Sequence, residues 1–336
     1  MPTAKDARLQ YEASQQAAVM TLLADSGDHM LFTSAAALWS GRAGFAPVVQ
    51  PNGLLTGGLI TPHASASTVA VAALTCNLAG VVTSVAAGSV AAARPATAVA
   101  KVVSITVNAA GALAAVAGTD GGTTAFSETR GAAGGPPLIP VDSIEIGQVR
   151  YTSNTAAVVL ASEINQLPGV HLERADYPLY EVNHGPVVDG GIVQKAGGSV
   201  GFSEALPLIH TGPVAKRVYA SYAVPQFVDV PLASDFVPPE TTHSVSSEQV
   251  YGSTIGSSSS SLGQGSFTAR LTNGVDDPLV KQKNQNLWFK FFPDRYATQN
   301  MLCQGLLGIA RTFPAANQIQ AACTISAAKS AIELAA

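Results

Sequence analysis

Charge is what this chain has least of. Only 12% of its 336 residues are Asp, Glu, Lys or Arg, against about 25% in an average soluble protein. Lys and Arg number 18 and Asp and Glu 22, a net charge of −4. A protein that coats nucleic acid needs a basic face, so this balance excludes that class. A disordered acidic tail is excluded as well, because 47% of the residues are hydrophobic. Aromatics are scarce at 6%, whereas alanine occurs 56 times. The apolar content is therefore mostly small side chains. Cysteine occurs three times, at Cys76, Cys303 and Cys323, with no CxxC pair. That excludes a disulfide scaffold and a zinc motif, and it predicts buried thiols in a reducing compartment.

Other signals are missing too. No apolar h-region follows Met1, so no secretory signal is expected. Between Arg42 and Arg94 no charged residue occurs, but the run holds Pro47, Pro51 and Pro62 and few Leu, Ile or Phe. Insertion into a bilayer relies on those large apolar residues, so no membrane span is expected. There is no phosphate-binding or dinucleotide glycine motif and no H-E-x-x-H. Gly252-Ser253-Thr254-Ile255-Gly256 departs from G-x-S-x-G by carrying Thr at the nucleophile position. His29, His63, His171, His184, His210 and His243 are scattered, which suits turn and core roles. No catalytic, metal or cofactor-binding residue is assigned, no cofactor is expected, and the chain does not read as an enzyme.

What is present points to assembly. Interspersed charge keeps a monomer dispersed. A chain with so little of it has a surface of neutral polar groups, or one buried against other chains.

The sequence divides in three. Residues 1–60 carry an Ala-, Gln-, Glu- and Leu-rich stretch at 4–24 that predicts an N-terminal helix. An irregular arm follows around Leu38, Trp39, Phe45 and Pro47. Residues 61–139 hold only five charges, Arg94, Lys101, Asp120, Glu128 and Arg130, and one aromatic, Phe126. Short Val/Thr/Ile runs at 68–74, 80–85, 98–107 and 112–117, punctuated by glycine, predict a small accessory β-sandwich. Gly131 to Pro137 reads as a linker. Residues 140–336 contain 16 of the 21 aromatics and hence most of the bulky core. Strands are expected at 143–152, 157–161, 170–174, 216–224, 227–230, 266–271, 287–292, 306–313 and 318–326, and a short Ala-rich helix or tail at 327–334. Lys281, Lys283, Lys290 and Arg295 sit beside Trp288, Phe289, Phe291 and Phe292. Asp276, Asp277 and Asp294 dilute this basic group, so a sheet with one aromatic face explains it better than nucleic-acid binding.

Two features remain as candidate sites. The polar stretch 232–265 reads as a long surface loop that docks on a neighbour, with Pro238, Ser247, Tyr251, Ser257 and Ser261 as its contact residues. The carboxylates Glu163, Glu173, Asp176, Glu181 and Asp189 form an acidic cluster, diluted only by Arg174, with the first four as candidates for a lumen face. A solvated acidic face accounts for it. Set around a channel, the same face repels a DNA backbone and lets the polymer slide.

Residues 224–231 (Val-Pro-Gln-Phe-Val-Asp-Val-Pro), 236–240 (Phe-Val-Pro-Pro-Glu), the Ser-rich stretch and the strands that follow, through Pro314 to Ile319, resemble tail tube (major tail) proteins of long-tailed, siphovirus-like bacteriophages. The resemblance spans about 141–329, with a weaker likeness in the first 60 residues. It implies a mainly β fold, with a β-sandwich or half-barrel tube domain and an inserted, outward-facing Ig-like β-sandwich. It implies that copies of the chain close into rings, hexameric in such proteins, and that rings stack into a tube through which double-stranded DNA passes without specific binding. Further implied partners are the tape measure, terminator and distal tail proteins. The implied location is the virion, after assembly in the host cytoplasm, and extra outer domains favour a non-contractile tail. A capsid decoration or head–tail connector protein remains an alternative, as does a surface adhesin-type β-protein.

Overall fold

The computed structural model describes residues 6–36, 38–166, 180–183, 187–189, 193–195 and 197–334. Among them the chain is mainly β, with several antiparallel sheets and one four-residue helix, Pro278–Lys281.

The largest sheet runs in the order Ser234–Val237, Gly265–Leu271, Ile319–Ala327, Asn300–Thr312, Asn286–Phe292, Arg8–Leu22, Val218–Asp229, Val48–Pro51. Ile332–Leu334 lies beside the start of Asn300–Thr312. The sheet rolls over on itself. Phe236 and Phe291 sit four steps apart in this order, which in a flat sheet would be about 19 Å, yet their rings stack at 4.5 Å. Inside the roll Leu9, Tyr11, Phe267, Leu287, Phe289, Leu307 and Cys323 are buried together. Alternation is the cause: Leu287 and Phe289 face inward, while Lys290 lies over the Phe227 ring at 4.3 Å. The basic–aromatic run is thus a core strand.

Residues 8–22 form a 15-residue strand, not the helix that their composition predicts. Isolated helices of this length are marginal in water. Here two strands offer the segment a ladder: Asn286–Phe292 pairs with Arg8 to Tyr11, and Val218–Asp229 pairs along most of its length. The Ala-rich end is corrected in the same way, because Ile332–Leu334 is a strand. The segments 216–224 and 227–230 merge into one strand that runs through Pro225. Proline is tolerated there because the strand has a ladder partner on one side only past Ser221. Residues 157–161 are not a strand, and 170–174 lie outside the described residues.

The arm after residue 33 packs on the outer face of the roll. Trp39 is fully buried and stacks on Tyr222 at 5.0 Å. The Trp288 indole donates to the Trp39 carbonyl at 2.8 Å. The Ser40 hydroxyl and the Gln15 amide donate to Oε1 of buried Glu12, and the Trp288 backbone N–H donates to its Oε2. Three donors thus satisfy a carboxylate with no access to water.

A second core lies between three small sheets. Gly53–Gly57, Leu74–Leu78 and Val81–Val85 form one, Ile60–Pro62, Thr68–Val71 and Gly88–Ala91 another. Lys101–Val107 is flanked by Leu113–Ala117 and Ile144–Tyr151 in the third, which ends at Ile164–Asn165. Val69, Cys76, Val103, Ile105, Ile144, Val149 and Tyr151 fill the space between them. This packed unit reaches from Leu54 to Ile164. The sequence division at 139/140 therefore falls inside it, because Ile144–Tyr151 pairs with Lys101–Val107.

Several contacts join the two cores. Asp142 accepts hydrogen bonds from Arg217 Nη1 and the Tyr219 hydroxyl, each at 3.0 Å. Ile139 pairs with His210 in a short parallel bridge. His210 is fully buried, with Nδ1 3.1 Å from the Pro140 carbonyl, which assigns the proton to Nδ1. Burial holds its pKa below the ordinary histidine value, with Lys216 and Arg217 adding to the shift and Asp142 and the Pro140 bond opposing it. The unfolded chain then binds the extra proton first, so stability falls as the pH drops from about 6.5 toward the folded value. Denaturant midpoints measured across that window are expected to decline in the native protein and to flatten in His210→Gln. Equal slopes would show that His210 is not the titrating group.

Candidate assembly surface

Residues 232–265 are not an irregular loop. Ser234–Val237 joins the edge of the large sheet, and Thr241–Val250 and Ser253–Leu262 form a hairpin closed by Tyr251-Gly252. Gly252 takes φ +85°, a conformation that favours glycine. Ten residue pairs make the ladder, so the hairpin is about 34 Å long. It pairs with itself and with no other strand among the described residues. Its register places Thr242, Ser244 and Ser246 opposite Ser261, Ser259 and Ser257 on one face, with hydroxyl–hydroxyl distances of 3.1, 2.7 and 2.7 Å. These cross-strand bonds stiffen a ribbon that has no core. Serine read as a loop signal because its side chain competes for backbone groups. Here the side chains bond each other instead.

Four of the five residues expected as contacts from the sequence lie on this hairpin. Ser257 and Ser261 lie on the hydroxyl face, Ser247 on the opposite face, and Tyr251 at the tip, fully exposed. Pro238 sits at the root, next to Pro239, whose carbonyl accepts from the Ala331 N–H at 2.7 Å. Val245 and Ile255 are exposed as well, and Glu248 is the hairpin's one acidic residue.

The acidic cluster lies mostly outside the residues whose side chains are described. Glu163 closes a 3-10 turn, accepts the Leu160 N–H at 2.8 Å and pairs with Arg94 at 3.2 Å. Glu173 and Asp176 lie outside the described residues, and of Glu181 only the backbone in Tyr180–Asn183 is described.

The charges of the small unit are all paired, four pairs within it and one with Arg217 outside it. Lys101 pairs with Asp120, Arg130 with Glu145, Arg150 with Glu128, and Arg94 with Glu163. With the Asp142–Arg217 pair, every Asp, Glu, Lys and Arg from 54 to 164 is engaged. Arg150 lowers the Glu128 pKa, and the Ala96 N–H with Lys101 lowers that of Asp120. Composition shows how few these charges are but not that they are spent internally. The thiols are buried as expected: burial pushes Cys76 up to about 11 and Cys303 and Cys323 up to about 12. Among the described residues no group of three His, Cys, Asp or Glu is placed to hold a metal ion, and no helix is long and apolar enough to cross a membrane. Compared with protein-family models and with curated proteins, the chain matches none, so the reading of this surface rests on its physical chemistry.

Proposed function

We propose that this chain is a structural virion protein that associates with copies of itself into stacked rings, forming a phage tail tube through which double-stranded DNA is ejected. The observation that carries the reading is the hairpin Thr241–Val250/Ser253–Leu262, which among the described residues pairs with no other strand and whose described side chains are nearly all exposed. A two-stranded ribbon alone is at best marginally stable in water, and an open strand edge is a template for another chain. The scarcity of charge supports the same conclusion, because little repulsion opposes packing copies side by side. In this reading the rolled sheet is the tube domain, rings are hexameric, and the ends of the tube meet terminator and distal tail proteins while a tape measure protein fills the lumen. DNA passes without a specific site. The small sandwich is the outer unit, and the protein carries out no chemistry of its own.

Electron microscopy of the purified protein, with sedimentation across a concentration series, tests this. Tubes or rings with a central channel are the expected result. A monodisperse monomer at every concentration would overturn the reading.

A further inference from the structure

The hairpin needs an acceptor, and the described sheets offer few. Most of their free edges are blunted in ways known to prevent edge pairing. Val48–Pro51 and Ile60–Pro62 carry proline. Ser234–Val237 has a register irregularity, and Asp235 in it sits at φ +56°. Gly53–Gly57 is bulged between Leu54 and Thr56. The edges of Gly88–Ala91 and Leu113–Ala117 face each other, with Gly88 against Leu113. Past Tyr11 the first strand has one free side, but its ladder shifts at Glu12/Ser14 and again at Ala18/Thr21, and the Gly80 turn lies on Met20. Past Ser221 the strand Val218–Asp229 also opens, but it carries Pro225, and its Ala223 carbonyl accepts the Ser40 N–H. The remaining edge pieces are two to four residues long.

Val81–Val85 is different. It is the outer strand of its sheet, pairs among the described residues only with Leu74–Leu78, and its five residues, Val-Val-Thr-Ser-Val, include no charge, no proline and no bulge. Val81 and Val82 are 61% and 57% exposed. The charges elsewhere on this unit are all paired, so among the described residues it presents no free charge to a neutral ribbon. Within one chain this strand and the hairpin belong to separate sheets.

We propose that Val81–Val85 of one copy receives Ser253–Leu262 of a second copy as an added strand. Of the hairpin's two arms Ser253–Leu262 is the acceptor's match, because it has neither charge nor proline, whereas Thr241–Val250 carries Glu248 and His243. Strand addition supplies main-chain hydrogen bonds to both open edges and gives the ribbon a third strand. This rests on the self-assembly reading and extends it: the small unit is then part of the lattice of contacts, not a decoration outside it.

Hydrogen exchange on the native protein, below and above its assembly concentration, is the primary test. Amides in 81–85 and 253–262 are expected to gain protection together on assembly. A companion variant, Val81→Lys/Val82→Lys, alters two exposed side chains and is expected to raise the concentration needed for assembly about tenfold or more. If the native protein assembles while both segments exchange as in the monomer, or if the lysine variant assembles at the native concentration, the strand pairing is wrong and self-assembly stands. If the native protein never assembles, the functional reading fails and this pairing with it.

Discussion

Excising residues 241–262 and closing Glu240 onto Gly263 through an Asn-Gly turn is expected to abolish self-association while leaving the folded monomer intact. The two ends are already close, since the Gly263 N–H donates to the Glu240 carbonyl at 2.9 Å. Two-residue Asn-Gly loops suit that geometry. The hairpin shares no ladder with the rolled sheet and contributes nothing to either large core, so its loss should leave the thermal midpoint within about 2–4 °C, the shift that ~1 kcal/mol produces in a domain of this size. Association is another matter, because the ribbon supplies two open edges of ten residues each, that of Ser253–Leu262 uncharged. Circular dichroism and sedimentation on the same sample separate the two effects. Rings or tubes from the excised chain would remove the hairpin from the assembly altogether.

The largest effect on stability is expected at Arg94. Its side chain is 8% exposed, lies over the Tyr151 ring at 4.2 Å, and donates to Glu163 and to the carbonyls of Ser153 and Ala157. One guanidinium thereby ties the 153–163 segment to the sandwich core. Arg94→Ala leaves the Glu163 carboxylate, 18% exposed, without its cation. Breaking such a pair costs about 3–5 kcal/mol, most of it from the charge left behind. Urea titration should place the loss in that range. Arg94→Met/Glu163→Gln should recover part of it, because the stranded charge is gone. A single-variant loss under about 1 kcal/mol would mean the pair behaves as a solvated surface contact.

Fold class was legible in the sequence, and the strands that could be read share a cause. Segments 80–85, 98–107, 143–152 and 287–292 are rich in β-branched or aromatic residues, and each contains a strand. Two errors have the opposite origin. Residues 8–22 carry the composition of a helix, but the partners that make them a strand lie about 200 residues or more away in the chain. No local pattern can show such a ladder. Residues 241–262 looked like a loop because serine is a turn former, and the two-residue periodicity of hydroxyls facing hydroxyls emerges only when the arms are aligned. Of the residues in the proposed contact, Tyr251, Ser257 and Ser261 stand out in the sequence by their position in a polar stretch. Val81 and Val82 were not, since an unguarded edge is a property of what fails to pair with it.

The internal pairing of every charge on the small unit has one more consequence. Free surface charges make association depend on ionic strength, because dissolved ions screen them over about 8–10 Å. Charges already matched within each copy leave little long-range field to screen. If copies of the chain associate as proposed, contacts between neighbouring small units would rest on short-range packing and hydration and respond little to ionic strength.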